Sequence, residues 1–214
     1  MLLALLLAAP SQVRAKPIDH YVLALSWSPS FCAVSDAAEE PMQCGHSAPF
    51  AFVVHGLWPQ YSRGQPQNCP AQERWIPESM ISAMLPLMPS KRLVIHEWRK
   101  HGTCSGLSMG AYFALIRSLF AKVRIPARYR APARAVTAPP AAIVADFIAA
   151  NPGLKSSMIG LACRSSARAA ALTEIRICFS PAGEFTQCSS RIRSDCQAET
   201  LVLPPVPATG EETR

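Results

Sequence analysis

Two short segments of the sequence concentrate side chains that could do acid–base chemistry. Residues 55–59 read HGLWP and residues 96–104 read HEWRKHGTC, and together they hold three of the five histidines. If the second segment is a helix, four of its ionisable groups fall on one arc of about 140°. These groups are His96, Lys100, Glu97 and His101. A solvated polar face and a functional site both remain open as readings of this arc, although Trp98 and Cys104 attach the helix to the protein body.

Two histidines with a carboxylate and a lysine suit proton transfer at a phosphate. One imidazole can take a proton from a hydroxyl, the second can return a proton to the leaving oxygen, and a cation can stabilise the equatorial oxygens. RNA supplies its own nucleophile in the 2′-OH group. The combination therefore suits in-line phosphoryl transfer on RNA without a metal-activated water.

Zinc hydrolysis and cysteine catalysis fit the sequence poorly. A zinc protease helix carries two histidines at positions i and i+4, whereas His96 and His101 are one residue further apart. On a helix these rings diverge by about 140°, too far to share one ion comfortably. The eight cysteines are even in number, which indicates disulfides rather than a free nucleophile. We expect no metal and no other cofactor.

The hydrophobic pattern predicts the elements that must position these groups. Strands are expected at residues 20–27, 49–55, 158–163, 171–179 and 184–189, with the second stopped by Gly56 and Pro59 and the last two joined as a hairpin. Helices are expected at residues 77–85, 91–101, 108–120 and 141–150. Helices inserted among strands predict an α+β fold with a central antiparallel sheet.

Composition limits the class of protein. The chain has 214 residues, half of them apolar and 16% charged, so it can bury a core and is not a wholly disordered chain. Lysine and arginine total 21 against 14 acidic residues, a formal charge of +7. A basic globular protein favours polyanionic partners such as nucleic acid.

The two ends of the chain differ in composition from the middle. Residues 1–9 form a short apolar stretch, about half of what a membrane span needs, so residues 1–15 are expected to be a signal peptide. With eight cysteines this predicts a periplasmic or secreted protein. Residues 16–200 are expected to form one catalytic domain. Residues 201–214 contain three prolines and are expected to be a disordered tail.

Both histidine segments resemble the two active-site signatures of the T2 family of ribonucleases. Residues 55–59 resemble the first signature and residues 96–104 the second, in the same order. Residues 26–29 with Cys32 resemble the family's first strand and the turn that follows it. The resemblance implies an α+β fold and metal-independent cleavage of single-stranded RNA, through a 2′,3′-cyclic phosphate to a 3′-phosphate end.

The resemblance also implies a role for each ionisable group. His101 would be the general base on the 2′-OH, and His55 would be the general acid at the 5′-oxygen. Glu97 and Lys100 would stabilise the pentacovalent phosphorane, and His96 would bind phosphate.

Two aromatic residues would contact bases by the same resemblance. Trp58 would stack on a base, as aromatic platforms do in nucleic-acid sites, although a core position for this residue is equally open. Tyr61 lies near the place where the family makes further base contacts, but this sequence differs from the family there. Its base preference is therefore not predicted.

The resemblance narrows the cysteine pairings to one framework. It implies four disulfides: Cys32–Cys44, Cys69–Cys104, Cys163–Cys196 and Cys178–Cys188. The second of these would tie the loop after the first signature to the end of the second signature.

Other classes of function compete with an RNA endonuclease. The chain could be a T2-like secreted protein whose main role is binding, although the four ionisable groups expected for catalysis are intact. It could also be a cationic protein that binds polyanions through scattered arginines without turning RNA over. The leading prediction is a monomeric enzyme of RNA catabolism that acts on single-stranded RNA and needs no protein partner or membrane.

Overall fold

One mixed β-sheet supports both histidine segments in the computed structural model, which describes residues 17–45, 50–71, 73–165, 170–193 and 196–208. The strands found in these ranges are β1 His20–Trp27, β2 Phe52–Gln60, β3 Val136–Ala138, β4 Ile159–Ser165, β5 Ala170–Phe179 and β6 Leu201–Leu203. Their order is β2-β1-β5-β6-β3, and β4 also pairs with β5. All pairs are antiparallel except β5 with β6. The α+β prediction is confirmed, with a mixed rather than purely antiparallel sheet.

Helices surround this sheet and bury its apolar face. In the described part of the chain they are α1 Ser28–Cys32, α2 Pro41–Cys44, α3 Glu78–Met84, α4 Lys91–Lys100, α5 Met109–Lys122, α6 Pro140–Ala150 and α7 Ser190–Arg193. Helices α4 and α5 each begin with a serine N-cap, a residue type favoured at that position. The side chain of Ser90 accepts from the N–H of Leu93, and that of Ser108 accepts from the N–H of Ala111. The buried Tyr112 of α5 donates to the carbonyl of Leu57 at 2.8 Å, which ties α5 to β2.

Strand β2 continues through the two residues that were expected to stop it. It is the terminal strand of the sheet order, where a proline that lacks an N–H is tolerated, and Pro59 pairs opposite Tyr21 of β1. Gly56 is required by close packing, because a Cβ atom there would lie 1.8 Å from Oε2 of Glu97. The predicted end of this strand at residue 55 is therefore wrong, and the whole HGLWP segment lies on β2.

The expectation of a disordered tail from residue 201 is wrong for its first part. Leu201 and Leu203 of β6 are fully buried. Trp27 donates its indole N–H to the carbonyl of Pro204 at 3.1 Å, and Val206 donates its N–H to Pro132 at 2.9 Å. Three apolar residues form a strand directly before the prolines, so proline content alone was a poor guide. Residues 209–214 lie outside the described residues.

The predicted hairpin after β5 is also wrong. Residues 184–189 form no ladder with β5; Phe185 makes a single bridge to Phe179. A disulfide between Cys178 and Cys188 holds this segment to the sheet instead. The predicted signal peptide lies outside the described residues. So does His46, one of the two histidines that belong to neither signature.

Disulfides link segments that are distant in sequence. The described cysteines form the same four pairs that the family resemblance implies: Cys32–Cys44, Cys69–Cys104, Cys163–Cys196 and Cys178–Cys188. The second pair joins the loop after β2 to the turn after α4.

Within the described ranges, no single helix is both long and apolar enough to cross a membrane, and only one pair of helices, bent by 104°, reaches that length together.

Candidate active site

His55 lies at an irregular point of β2. Ala24 of β1 pairs with Gly56 and Leu25 pairs with Val54, so His55 is the extra residue of a β-bulge. Bulges commonly re-aim a side chain beside an active site. The bulge therefore explains how an edge strand presents the histidine of the first signature.

The imidazole of His55 lies between two carboxylates. Its Nδ1 is 2.5 Å from Oε1 of Glu174, a hydrogen bond that the carboxylate accepts. Its Nε2 is 3.7 Å from Oε1 of Glu97. The side chain remains 34% exposed, so a substrate can reach it.

Helix α4 brings the second signature against this strand. Glu97 is 1% exposed and His101, at the helix C-cap, is 3% exposed, so these two members of the arc are buried rather than solvated. Lys100 is half-buried and His96 is exposed on the same helix. The structure thus brings His55 and Glu97 together, with His101 on the same buried side of the helix.

Trp58 is the side chain that joins the two signatures. Its indole N–H donates to Oε2 of Glu97 at 2.9 Å. Its ring centroid is 5.3 Å from that of His55 and 5.7 Å from that of His101. The partly buried ring therefore supports three ionisable groups of the site. Stacking of a base on Trp58 stays a prediction.

The two histidines of the site have opposite electrostatic surroundings. Burial is the strongest influence on the pKa of His55 and lowers it, but the hydrogen bond and charge of Glu174, with the charge of Glu97, raise that pKa above its usual value. Burial, together with the nearby charges of Lys100, His96 and His55, lowers the pKa of His101 to about 3. Environments that push two pKa values apart separate an acid from a base.

The unpaired ring nitrogen of His101 agrees with its low pKa. Among the described residues, Nδ1 of His101 is buried and has no hydrogen-bond partner. An imidazolium at this position would bury an unsatisfied donor, which is costly. His101 is therefore a neutral imidazole at ordinary pH.

Glu97 differs from an ordinary surface carboxylate. Burial raises its pKa to about 7, against the opposing influences of His55, the Trp58 hydrogen bond and Lys100. The pKa of His96 is lowered, first by burial and then by the charges of Lys100 and His55. At mildly acidic pH, Glu97 is consequently a neutral acid that can donate a hydrogen bond.

Tyr61 lies in the turn that follows β2. Its backbone N–H donates to the carbonyl of Gly64 at 2.9 Å. The side chain is partly exposed. Its contact with a base stays a prediction.

Sequence reasoning missed two charged residues on β5. Glu174 accepts from His55 and from the guanidinium of Arg176, whose Nε and Nη2 both lie 2.8 Å from Oε2 of Glu174. The Arg176 guanidinium also lies 5.4 Å from the ring centroid of Trp58. The available signal was a Glu-X-Arg pair in an otherwise apolar strand, where successive odd or even positions share a face.

One further motif in the sequence could have indicated a different active site. Residues 106–110 read GLSMG, which matches the pattern of a hydrolase nucleophile elbow. That elbow requires a strand before the serine and a helix after it. Here Ser108 follows a 3₁₀ turn over Gly102–Cys104, and its hydroxyl accepts from the N–H of Ala111 at 3.3 Å. Ser108 is therefore the N-cap of α5.

An open cleft of about 630 Å³ adjoins the histidines. Its lining includes His55, His96, Glu174 and Arg176, as well as Arg164 and the ion pair of Arg92 with Glu40. Within the described chain, no group of three or more His, Cys, Asp or Glu side chains is arranged to hold a metal ion.

These groups form a cluster of two histidines and two carboxyl groups, His55, His101, Glu97 and Glu174, on a disulfide-linked α+β scaffold. A sequence model described as the ribonuclease T2 family matches residues 18–188. The chain belongs to the ribonuclease T2 family.

Individual relatives agree with this assignment. A ribonuclease of Aeromonas hydrophila is 44% identical over 146 residues, which are 65% of each chain. A probable ribonuclease of Haemophilus influenzae is 35% identical over 122 residues, 51% of this chain and 45% of the relative. The chain thus spans less than two thirds of the length of these two curated relatives.

Solved structures share the fold over almost their whole length. A variant of ribonuclease MC1 in complex with 5′-UMP superposes with a TM-score of 0.67 and 25% identity, over 86% of this chain and 98% of that one. Ribonuclease MC1 from bitter gourd seeds superposes with a TM-score of 0.62 and 26% identity, over 86% and 98% of the two chains.

Proposed function

We propose that the protein is an endoribonuclease that cleaves single-stranded RNA without a metal, through a 2′,3′-cyclic phosphate to 3′-phosphate ends. The observation that carries this proposal is the pair of histidines, His55 and His101, whose rings lie 5.3 and 5.7 Å from the ring of Trp58, the residue that also donates to the buried Glu97. Their opposite pKa shifts support it. Membership of the ribonuclease T2 family supports it.

The first chemical step is a cyclisation in which two protons move. Neutral His101 takes the proton of the 2′-OH, and the 2′-oxygen attacks phosphorus in line. The bond from phosphorus to the 5′-oxygen breaks, and protonated His55 gives its proton to that oxygen. In the second step the roles reverse: His55 activates water, and His101 returns a proton to the 2′-oxygen as the cyclic phosphate opens.

Two further groups of α4 stabilise the charge that develops on the phosphoryl oxygens. Lys100 supplies a positive charge, and neutral Glu97 supplies a hydrogen-bond donor at mildly acidic pH. His96 stands exposed at the mouth of the site and binds a phosphate of the substrate.

Nucleotides of the substrate occupy the cleft beside His55. Its volume of about 630 Å³ lies in the range of small-ligand pockets, and its lining carries Arg92 and Arg164. A related ribonuclease holds 5′-UMP, which agrees with nucleotide binding. Base contacts by Trp58 and Tyr61 belong to the same proposal.

The protein acts in an oxidising compartment, as a periplasmic or secreted monomer. Its four disulfides support this part of the proposal, and residues 1–15 serve as the signal peptide. The catalytic domain begins at residue 16 and extends beyond residue 200 to at least Val206, because β6 pairs with β3 and β5 and Val206 is buried. Cell fractionation with an antibody and analytical ultracentrifugation test the compartment and the monomer respectively.

The decisive experiment is RNA cleavage in excess EDTA with identification of the product ends. The intact protein should yield 2′,3′-cyclic and 3′-phosphate ends, and DNA of the same sequence should resist because it lacks the 2′-OH. A folded His55→Ala variant is the matched control for contaminating nuclease. Loss of cleavage in EDTA, or 5′-phosphate ends, would contradict the proposal.

A further inference from the structure

A buried ion pair on β5 lies directly behind His55. Glu174 is 9% exposed, and one of its oxygens is 2.5 Å from Nδ1 of His55. Its other oxygen is held by two nitrogens of Arg176, each at 2.8 Å. Burying charges is costly unless they are paired and hydrogen-bonded. The two oxygens of Glu174 meet this requirement, because His55 donates to one and Arg176 donates to the other.

We propose that Glu174 and Arg176 are positioning residues for the general acid: Glu174 fixes the ring of His55 through Nδ1 so that Nε2 faces the substrate, and Arg176 holds the carboxylate of Glu174 in place. This inference rests on the proposed ribonuclease function. It adds two residues of β5 to the site, and both lie outside the two histidine signatures.

The local backbone supports a positioning role. In the pairing of β4 with β5, Ala162 lies opposite Glu174 and Cys163 lies opposite Leu172, so Thr173 is the extra residue of a bulge. His55 is itself the extra residue of the bulge in β2. Two bulges in different strands thus bring together two side chains that a regular sheet would not aim at each other.

Five charged or titratable groups set the protonation of the His55 ring. Glu174 and Arg176 act from β5, and Glu97 and His96 act from α4, with His101 at its end. Glu174 is the one that hydrogen-bonds to the ring. Removing its charge should therefore lower the pKa of His55, because burial and the cationic groups would then act with less opposition.

The test is Glu174→Gln, which keeps the shape and removes the charge. The pKa of His55, followed by NMR of the imidazole Cε1–Hε1 pair, should fall by about one unit or more. The alkaline limb of kcat/KM against pH should move down by the same amount, since His55 must be protonated. Glu174→Asp keeps the negative charge, so the pKa of His55 in this variant should stay close to its wild-type value.

Arg176→Gln is the second variant and leaves the hydrogen bond from His55 to Glu174 available. It should lower kcat, because Glu174 loses the guanidinium that holds its other oxygen, and it should move the alkaline limb up, because the Arg176 charge lowers the pKa of His55. Arg176→Lys should recover part of the loss in kcat. Circular dichroism checks folding of each variant.

An unchanged His55 titration and alkaline limb in both folded Gln variants would overturn the inference. The NMR titration needs no RNA cleavage, so failure of the proposed function would leave this result readable.

An exposed tryptophan carries a second, independent inference. Trp75 is 85% exposed, and the Arg99 guanidinium of α4 lies 5.5 Å from its ring centroid. The two residues before it are hydrogen-bonded to α4, because the indole N–H of Trp98 donates to the carbonyl of Glu73 at 2.9 Å and Arg99 donates to that of Arg74 at 3.4 Å. An exposed aromatic ring with an arginine beside it is what single-stranded nucleic-acid sites use for stacking.

We infer that Trp75 and Arg99 form a stacking platform for a base of single-stranded RNA outside the cleaved step. Arg99 follows His96 by three positions on α4, so the two residues are neighbours on the helix surface. A strand that passes His96 and Lys100 can therefore continue to Trp75. The exposed Arg74 adds a positive charge beside the platform.

A fluorescein-labelled single-stranded DNA of 12 nucleotides tests this platform by anisotropy, because DNA binds without being cleaved. Trp75→Ala should raise Kd about 5- to 100-fold, the equivalent of one base–aromatic stack. Trp75→Phe should keep most of the affinity. Binding of Trp75→Ala at wild-type affinity, or an equal loss in Trp75→Phe, would contradict stacking. The readout does not depend on RNA cleavage.

Discussion

A methyl group added at Gly56 should disable the site although no ionisable residue is replaced. A Cβ atom at this position would lie 1.8 Å from Oε2 and 2.5 Å from Cδ of Glu97, and 2.8 Å from Nε1 of Trp58. Contacts under 3.0 Å force a movement. Glu97 is buried on α4, so its carboxyl group cannot swing into solvent.

The size of the effect follows from the movement required. To reach ordinary contact, Glu97 must withdraw by more than 1 Å, which breaks its 2.9 Å hydrogen bond to Trp58. Misplacement by about 1 Å costs on the order of 10²-fold in rate. Overpacking of this kind costs about 1–3 kcal/mol of stability. Gly56→Ala should therefore lower kcat by about 10²-fold or more in a protein that still folds.

Gly110→Ala is the matched control for this substitution. Gly110 lies on α5, and an added Cβ there would meet only Cε of Met80 at 4.0 Å. Alanine on a helix is favoured over glycine by about 1 kcal/mol at most, so this variant should be as active and at least as stable as the wild type. Steady-state kinetics on a short RNA and thermal unfolding measure both. A folded Gly56→Ala enzyme with wild-type kcat would refute the claim that Glu97 must occupy its observed position.

Three further predictions test the roles of the site residues. His55→Ala and His101→Ala should each lower kcat by about 10²- to 10⁴-fold, and near wild-type turnover in either would overturn the acid–base assignment. Lys100→Ala should mainly lower kcat, whereas His96→Ala should mainly raise KM, as steady-state kinetics would show. The wild-type protein should lose unfolding free energy as the pH falls from about 6.5 to about 3, because His101 takes up a proton in the unfolded chain there but stays neutral in the folded protein. His101→Phe should make this loss smaller. An unchanged pH dependence in denaturant titrations would contradict the buried neutral ring.

Local sequence signals predicted most of the elements. The strand at residues 20–27 was predicted with the observed bounds, and the helix expected at residues 91–101 is found as Lys91–Lys100. The helix expected at residues 108–120 is found as Met109–Lys122, and the hydroxyl of Ser108 accepts from its first turn. These predictions depend on the period of apolar residues and on capping, which are local properties of the chain.

The features that sequence reasoning missed depend on contacts between distant segments. Gly56 and Pro59 were expected to end β2, and only the edge position of the strand and the packing of Glu97 explain why they do not. Glu174 is 119 residues from His55 in the chain. No local pattern shows that a bulge in each strand would bring these two side chains together.

The two carboxyl groups around His55 explain why its neighbours on β5 matter to the chemistry on α4. If both Glu97 and Glu174 were ionised, two negative charges would share one buried site, which is unfavourable. Burial alone would raise the pKa of both groups, but His55 and the guanidinium of Arg176 hold the pKa of Glu174 below its usual value, whereas that of Glu97 rises to about 7. His55 and Arg176 together thus keep Glu174 ionised, which leaves Glu97 as the carboxyl group that is protonated first as the pH falls. In the proposed mechanism, that proton is the hydrogen-bond donor to a phosphoryl oxygen.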